Sequence, residues 1–185
     1  MCIRDSTKQI VIGDPLNPAT DMGPLISAGQ RNRVLSYVAK GVEEGARRVL
    51  DAGGAPLGRG HYLGPTVFAD LRPEMTIARE EIFGPVLGVL PVDSMDQALQ
   101  IANGTDYGLH ATVYTRDLDR AMYFARRLEC GTVAVNGFTE GDIKTPFGGY
   151  RRSGSLARDK GLEAMAQYQQ IKTIWLRLSA MGLNA

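Results

Sequence analysis

Glu80-Glu81-Ile82-Phe83-Gly84-Pro85-Val86 sets two adjacent carboxylates before an aromatic residue, a Gly-Pro turn and an apolar run that continues to Val92. An ionised carboxylate resists desolvation unless it is paired or hydrogen-bonded, and two side by side raise each other's cost. One reading is a charged helix end before a core strand. The other is a carboxylate reserved for a ligand. Downstream, Pro146-Phe147-Gly148-Gly149-Tyr150-Arg151-Arg152-Ser153-Gly154 places paired glycines between aromatics. Such a pattern marks backbone that turns tightly or is closely approached by another group.

Working outward, helical and strand signals alternate. Asp14-Pro15-Leu16-Asn17-Pro18 reads as a turn-rich entry loop. From Ser27 to about Glu44, Val34, Leu35, Val38 and Val42 share one helix face, and Gly45 stops the helix. Arg47 to Leu50 reads as a short strand, 51–60 as a glycine-rich loop, and Thr66-Val67-Phe68 as a second strand. Val86 to Val92, apolar on both faces, fits a strand in the middle of a parallel sheet. Ser94 caps a helix through Ile101, His110 to Tyr114 forms a strand, and Asp117 caps a helix with Leu118, Ala121, Ala125 and Leu128 inward. Thr132 to Val135 is the next strand. A short helix is expected around Arg158 to Met165, then an alternating strand from Ile171 to Leu178. The alternation predicts an α/β fold with a largely parallel sheet flanked by helices.

The bulk composition narrows the function. The 185 residues are 44% apolar, enough for one ordinary core. The net charge of +1, from 21 basic and 20 acidic residues, gives no electrostatic case for nucleic acid. No apolar run approaches the ~20 residues a membrane span needs. Cys2 and Cys130 do not make a disulfide framework, which points to a reducing cytoplasm. With no Cys-x-x-Cys and no close histidine pair, no metal site is expected; His61 and His110 read as ordinary loop and strand residues.

Further motifs stand in a fixed order. They are Gly13-Asp14-Pro15, Met22-Gly23-Pro24-Leu25-Ile26, Gly64-Pro65-Thr66-Val67-Phe68, Asn103-Gly104-Thr105-Asp106-Tyr107-Gly108-Leu109 and Thr132-Val133-Ala134-Val135-Asn136. Together with the two stretches above, this set resembles the C-terminal part of the NAD(P)-dependent aldehyde dehydrogenase superfamily, over roughly residues 7–178. Residues 1–6 fall outside the pattern and are expected to be a non-native adaptor. Residues 7–166 would be the C-terminal part of the catalytic domain, and 167–178 an oligomerisation strand. After Ser153-Gly154 the chain departs from the family, carrying Ser155-Leu156-Ala157-Arg158-Asp159 without the usual glycine.

The resemblance implies oxidation of an aldehyde to a carboxylate through a cysteine thioester, with NAD or NADP as acceptor. It assigns the nucleophilic cysteine and the base glutamate to sequence upstream, so no catalytic residue is expected here and the isolated chain is expected to be inactive. Glu81 would bind the nicotinamide ribose hydroxyls, since a carboxylate is acceptor-only and can take both donors of a diol. Phe83 would pack beside the nicotinamide, whereas Glu80 reads as a structural charge. Phe147 would line the aldehyde passage or else cover the Gly148-Gly149 turn as core. Asn136 reads as a satisfied polar residue at a strand end.

Substrate preference would sit in the loop of Glu140 and Gly141. There a glycine widens the mouth, and Glu140, Asp142 and Lys144 add charge. With Lys160 and Ile171-Lys172-Thr173-Ile174-Trp175, this resembles the branch acting on γ-glutamylaminobutyraldehyde and other amino-aldehydes. Cys130, at a helix-to-strand junction, reads as a small hydrophobe and not a nucleophile. The intact protein is expected to be a homodimer or homotetramer with an aldehyde substrate, without nucleic acid or membrane. The competing expectation is a stand-alone, non-catalytic oligomerisation or regulatory remnant. The missing thiol context and glycine-rich dinucleotide fingerprint favour that remnant, and the retained Glu81 and Phe83 count against it.

Overall fold

The computed structural model describes residues 3–51, 53, 60–137 and 142–177. The chain forms two compact units, 1–101 and 102–185.

The first unit is organised by α2 (Ala28–Glu43). Ser27 Oγ accepts from Gln30 N at 3.1 Å, satisfying an otherwise orphaned amide of the first turn. Gly45, at φ 87°, ends the helix in a left-handed conformation that costs a glycine little. The expected apolar face splits. Val34 and Val38 are buried, while Leu35 and Val42, on the flanks of the stripe, remain exposed. Behind α2 lies a three-stranded sheet of β1 (Arg47–Asp51), β2 (Thr66–Ala69) and β3 (Val86–Gly88), in the order β1-β2-β3. β1 runs antiparallel to β2, with a register shift between Arg48 and Leu50, and β2 runs parallel to β3. The core joins Val38 and Ala46 to Phe68 of β2 and to Leu71, Met75 and Ile77. Phe68 is fully buried. Its burial contributes roughly 1.5–3 kcal/mol.

Between β2 and β3 lies α3 (Thr76–Arg79), a single turn that Glu44 caps from α2's end. Its carboxylate accepts from Thr76 N at 2.7 Å and from Thr76 Oγ1 at 2.6 Å. Helix α4 (Met95–Asn103) starts as the sequence suggests. Gln97 N donates to Ser94 Oγ at 3.1 Å while Gln97 Oε1 takes Asp93 N at 2.6 Å. The first bond satisfies a first-turn amide, and the second ties the residue before Ser94 back to the helix.

The second unit contains a βαβ arrangement. Strand β4 (His110–Val113) pairs in parallel with β5 (Thr132–Val135), and α5 (Leu118–Arg127) connects them. Asp117 caps α5 by accepting from Arg120 N at 3.0 Å, and Ala121 is buried. Two short 3-10 helices follow, Arg151–Ser153 and Leu162–Tyr168.

The fold class holds, while two local expectations, the extent of β3 and the start of the short helix, need correction. The alternation yields the expected α/β fold: among the described residues β2–β3 and β4–β5 run parallel and only β1–β2 antiparallel, in two small sheets. β3 ends at Gly88 and lies at the edge of its sheet, with Leu87 45% exposed. Among the described residues it pairs with β2 alone, and β2 itself stops before Asp70, at φ 58°. The short helix begins later than Arg158, at Leu162, because Gly161 adopts φ 72° just before it. In the single chain residues 171–177 have no strand pairing among the described residues. Ahead of these elements, Ile3–Thr7 form a short helix, α1.

Candidate functional site

The loop that follows α3 carries the Glu-Glu pair, and α2 holds it by one polar stripe. Gln30, Arg33 and Tyr37 recur at helical spacing beside the buried Val34. The Gln30 side-chain amide donates to Ile82 O at 3.2 Å and to Phe83 O at 2.8 Å. Arg33 Nη2 reaches Glu81 O at 3.5 Å and Tyr37 Oη at 3.2 Å, and its guanidinium carbon lies 5.4 Å from the Tyr37 ring centroid. Tyr37 Oη in turn donates to Glu80 Oε2 at 2.8 Å. Three successive carbonyls, of residues 81, 82 and 83, are thus gripped from one helix.

This grip divides the pair of carboxylates. Glu80 is consumed by Tyr37, whose phenol is held above its ordinary value chiefly by the hydrogen bond to Glu80. The Glu81 carboxylate is exposed and accepts no hydrogen bond or ion pair among the described residues. Ile82 turns inward against the core, while Phe83 at φ 55° turns outward and is 74% exposed. A phenylalanine in the left-handed region is costly, and such strain persists where the surroundings over-determine it. Here the surroundings are Gln30 on one side and Gly84 on the other. A Cβ at Gly84 would collide with Val34 Cγ2, so the loop lies against α2 more closely than any other residue allows.

In the second unit, Phe147 is half-buried, with Lys160 Nζ 5.1 Å from its ring centroid. Its carbonyl accepts from Asp159 N at 2.7 Å. The next residue, Gly148, places its carbonyl where a side chain on Gly131 would have to stand. Gly108 O accepts both Gly131 N at 3.0 Å and Tyr150 N at 2.8 Å. Glu140 and Gly141 lie outside the described residues. Asp142 is used locally, accepting from Lys144 N at 3.2 Å.

The remaining candidates are structural. Asn136 is satisfied at the end of β5: its Oδ1 accepts from Thr115 N at 2.8 Å and its Nδ2 donates to Thr115 O at 2.7 Å. Cys130 Sγ lies 3.2 Å from Thr132 O, and burial pushes its thiol up, away from the reactive thiolate. His61 O accepts from Leu25 N at 2.9 Å, and His110 opens β4. Among the described residues no cluster of metal-ligating side chains occurs, and no helix is long and apolar enough to cross a membrane.

The sequence reading missed Gln30, Arg33 and Tyr37. As polar residues on a helix they read as a solvated face, and only the fold brings Gln30 beside Phe83, 53 residues away.

Comparison with known proteins gives a consistent result. A profile described as the Aldehyde dehydrogenase family matches residues 2–174. Betaine aldehyde dehydrogenase of Brucella melitensis is 45% identical over 178 residues, which cover 94% of this chain and 36% of that protein. Among solved structures, HpcC from Thermus thermophilus superposes with a TM-score of 0.86 at 44% identity, over 93% of this chain and 34% of that one. AldA indole-3-acetaldehyde dehydrogenase of P. syringae, in complex with NAD+ and IAA, gives 0.88 at 44% identity, over 95% and 36%. The chain spans about a third of the length of the relatives it matches. It belongs to the aldehyde dehydrogenase family.

Proposed function

We propose that these residues serve as the C-terminal third of an NAD(P)-dependent aldehyde dehydrogenase that oxidises an aldehyde to its carboxylate through a cysteine thioester. The observation that carries this reading is the presentation of Glu81 and Phe83, an unpaired carboxylate and a strained, outward-held ring on one clamped loop. Glu81 would accept from the two nicotinamide ribose hydroxyls, and a free carboxylate loses no existing partner on doing so. Phe83 would limit the ring's motion by packing beside it. Phe147 would line the aldehyde's path. When bound, the cofactor supplies the two-electron acceptor, and this chain's share is to orient it.

The isolated chain is inactive in this reading, because Cys130 is a protonated, hydrogen-bonded thiol without an activating base. Amino-aldehydes or other cationic aldehydes are the proposed substrate class. The relationship to betaine aldehyde dehydrogenase and the acidic residue Glu140 both support it. The intact protein would be a cytoplasmic homodimer or homotetramer.

In an intact enzyme containing these residues, Glu81→Gln should raise KM for NAD+ roughly ten- to a hundredfold, as expected on weakening a charge-assisted hydrogen bond. KM for the aldehyde should stay within about twofold. An unchanged KM for NAD+ would remove Glu81 from the cofactor site. NADH formation by the isolated chain above a heat-killed control would show that the thiol assignment is wrong.

A further inference from the structure

Beyond the loop of Glu81, the second unit contains a clip that the proposed chemistry does not use. Arg151 sits at φ 52°, a conformation a long side chain rarely adopts. Its guanidinium gathers three acceptors from two other segments. Nη1 donates to Asn103 O at 2.8 Å and to Thr105 O, and Nη2 donates to the Glu129 carboxylate. Glu129 is itself fixed, since its amide donates to Asn103 Oδ1 at 2.9 Å while Asn103 Nδ2 donates to Arg127 O at 2.9 Å. The backbone beside Arg151 repeats the same join. Tyr150 N donates to Gly108 O at 2.8 Å, Arg152 N to Asp106 O at 2.9 Å, and Ser153 Oγ accepts from Gly108 N at 3.1 Å.

The bonds tie the turn after Phe147 to the loop of Asn103 and Thr105 and to the entry of β5. Gly148 and Gly149 supply little side-chain packing of their own, so a turn of this composition would otherwise hold its position poorly. A planar guanidinium with five donors can bridge carbonyls and a carboxylate together, which an ammonium cannot do with one geometry.

We propose that Arg151 is a positioning residue for the Phe147-Gly148-Gly149 turn, acting with Glu129 and Asn103 to fix where the Phe147 ring stands. The inference rests on the reading of Phe147 as part of the aldehyde path only for its consequence, which is that aldehyde fit depends on Arg151. The clip itself can be tested without aldehyde or cofactor.

The test uses the full 185-residue chain, labelled with fluorophenylalanine, as wild type, Arg151→Ala and Arg151→Lys. Amide exchange and fluorine NMR are recorded on each. In Arg151→Ala, the amides of Tyr150, Arg152 and Gly131 should exchange roughly ten- to a hundredfold faster, the range expected on losing hydrogen bonds to a charged group. Amides inside the β4–β5 ladder should change by less than about threefold. The Phe147 resonance should move or broaden, while that of Phe68, in the core of the first unit, stays put. Arg151→Lys should restore part of the protection, keeping the charge opposite Glu129 but not the fork. Uniform acceleration across the whole second unit would make Arg151 a stability element only and overturn the proposal. So would an unshifted Phe147 resonance. If Arg151→Ala does not fold, Arg151→Lys decides alone: a moved Phe147 resonance with an intact ladder supports the clip, and wild-type behaviour at both removes it. A failure here leaves the assignment of Phe147 to the aldehyde path standing on its own test.

Discussion

Tyr37 Oη donates to Glu80 Oε2 at 2.8 Å, joining α2 to a loop 43 residues further along the chain. That bond turns a repulsive pair of carboxylates into two groups with different tasks. Glu80 becomes a fixed acceptor, and Glu81, pointing elsewhere, keeps its lone pairs free. The Glu-Glu dipeptide is tolerated because one of its charges is paired within the fold and the other stays in water.

Tyrosinate absorbance should show the Tyr37 phenol ionising above its ordinary 10.0, because its proton is held by Glu80. A raised folded-state value means the contribution to stability is complete below the unfolded value. It is lost as pH climbs through the folded one. Glu80→Gln removes the charge, so Tyr37 should then titrate nearer 10.0. An unchanged titration curve in that variant would mean that the Tyr37–Glu80 contact is not populated in solution.

The acid side of the profile should belong in part to Glu44. Thr76 donates to it from both side chain and backbone, and those bonds hold its carboxyl below the usual 4.5. The sign is opposite to that of Tyr37. Stability from the Glu44 cap is present above about pH 4.5 and disappears as pH falls through the lower folded-state value. Denaturant unfolding of wild type and Glu44→Gln should therefore differ near neutrality and converge in acid. Parallel curves at every pH would rule out the cap as the source. Because α3 leads straight into Glu80, loss of this cap should also loosen the loop that carries Glu81.

How much of this was legible in advance follows from which forces were local. Ser94 and Asp117 cap their helices as read, because a cap depends on residues three apart in the chain. The extent of β3 was not legible. Val86 to Val92 is apolar throughout, but strand length depends on a neighbour's backbone, and β2 supplies only a short one. The alternation of 171–177 likewise states a preference without supplying a partner. On the clamped loop, Glu81 and Phe83 are the residues that the family pattern singles out. The residues that hold the loop were not legible, since Gln30 meets it only through the tertiary fold, 52 and 53 residues away along the chain.

Gly84→Ala should test that packing directly. Val34, at 0% exposure, fills the space a new methyl would need, and overpacking of this kind costs about 1–3 kcal/mol. A drop of that size in urea unfolding is expected, together with a changed three-bond coupling at Phe83 as its left-handed backbone relaxes. A neutral substitution would mean that the loop stands off α2 in solution. The pairing Val34→Ala with Gly84→Ala should recover part of the loss, because removing the valine methyls makes room for the alanine.

Cys130 should behave as a packing residue under chemical challenge. Burial is the main cause of its raised thiol value, opposed by hydrogen bonding at Thr132 and Ala111. The thiolate is the reactive form, so alkylation by iodoacetamide at neutral pH should be slower than for a free cysteine peptide, and should approach the peptide rate only after unfolding. Cys130→Ala should cost about 1 kcal/mol or less, the scale of one small buried group. In an intact enzyme the same substitution should leave aldehyde oxidation unchanged, whereas Phe147→Ala should raise KM for the aldehyde and spare that for NAD+. If Cys130→Ala abolished turnover in a folded enzyme, the nucleophile would lie in this chain after all, and the division of labour inferred for Glu81, Phe83 and Phe147 would have to be redrawn around it.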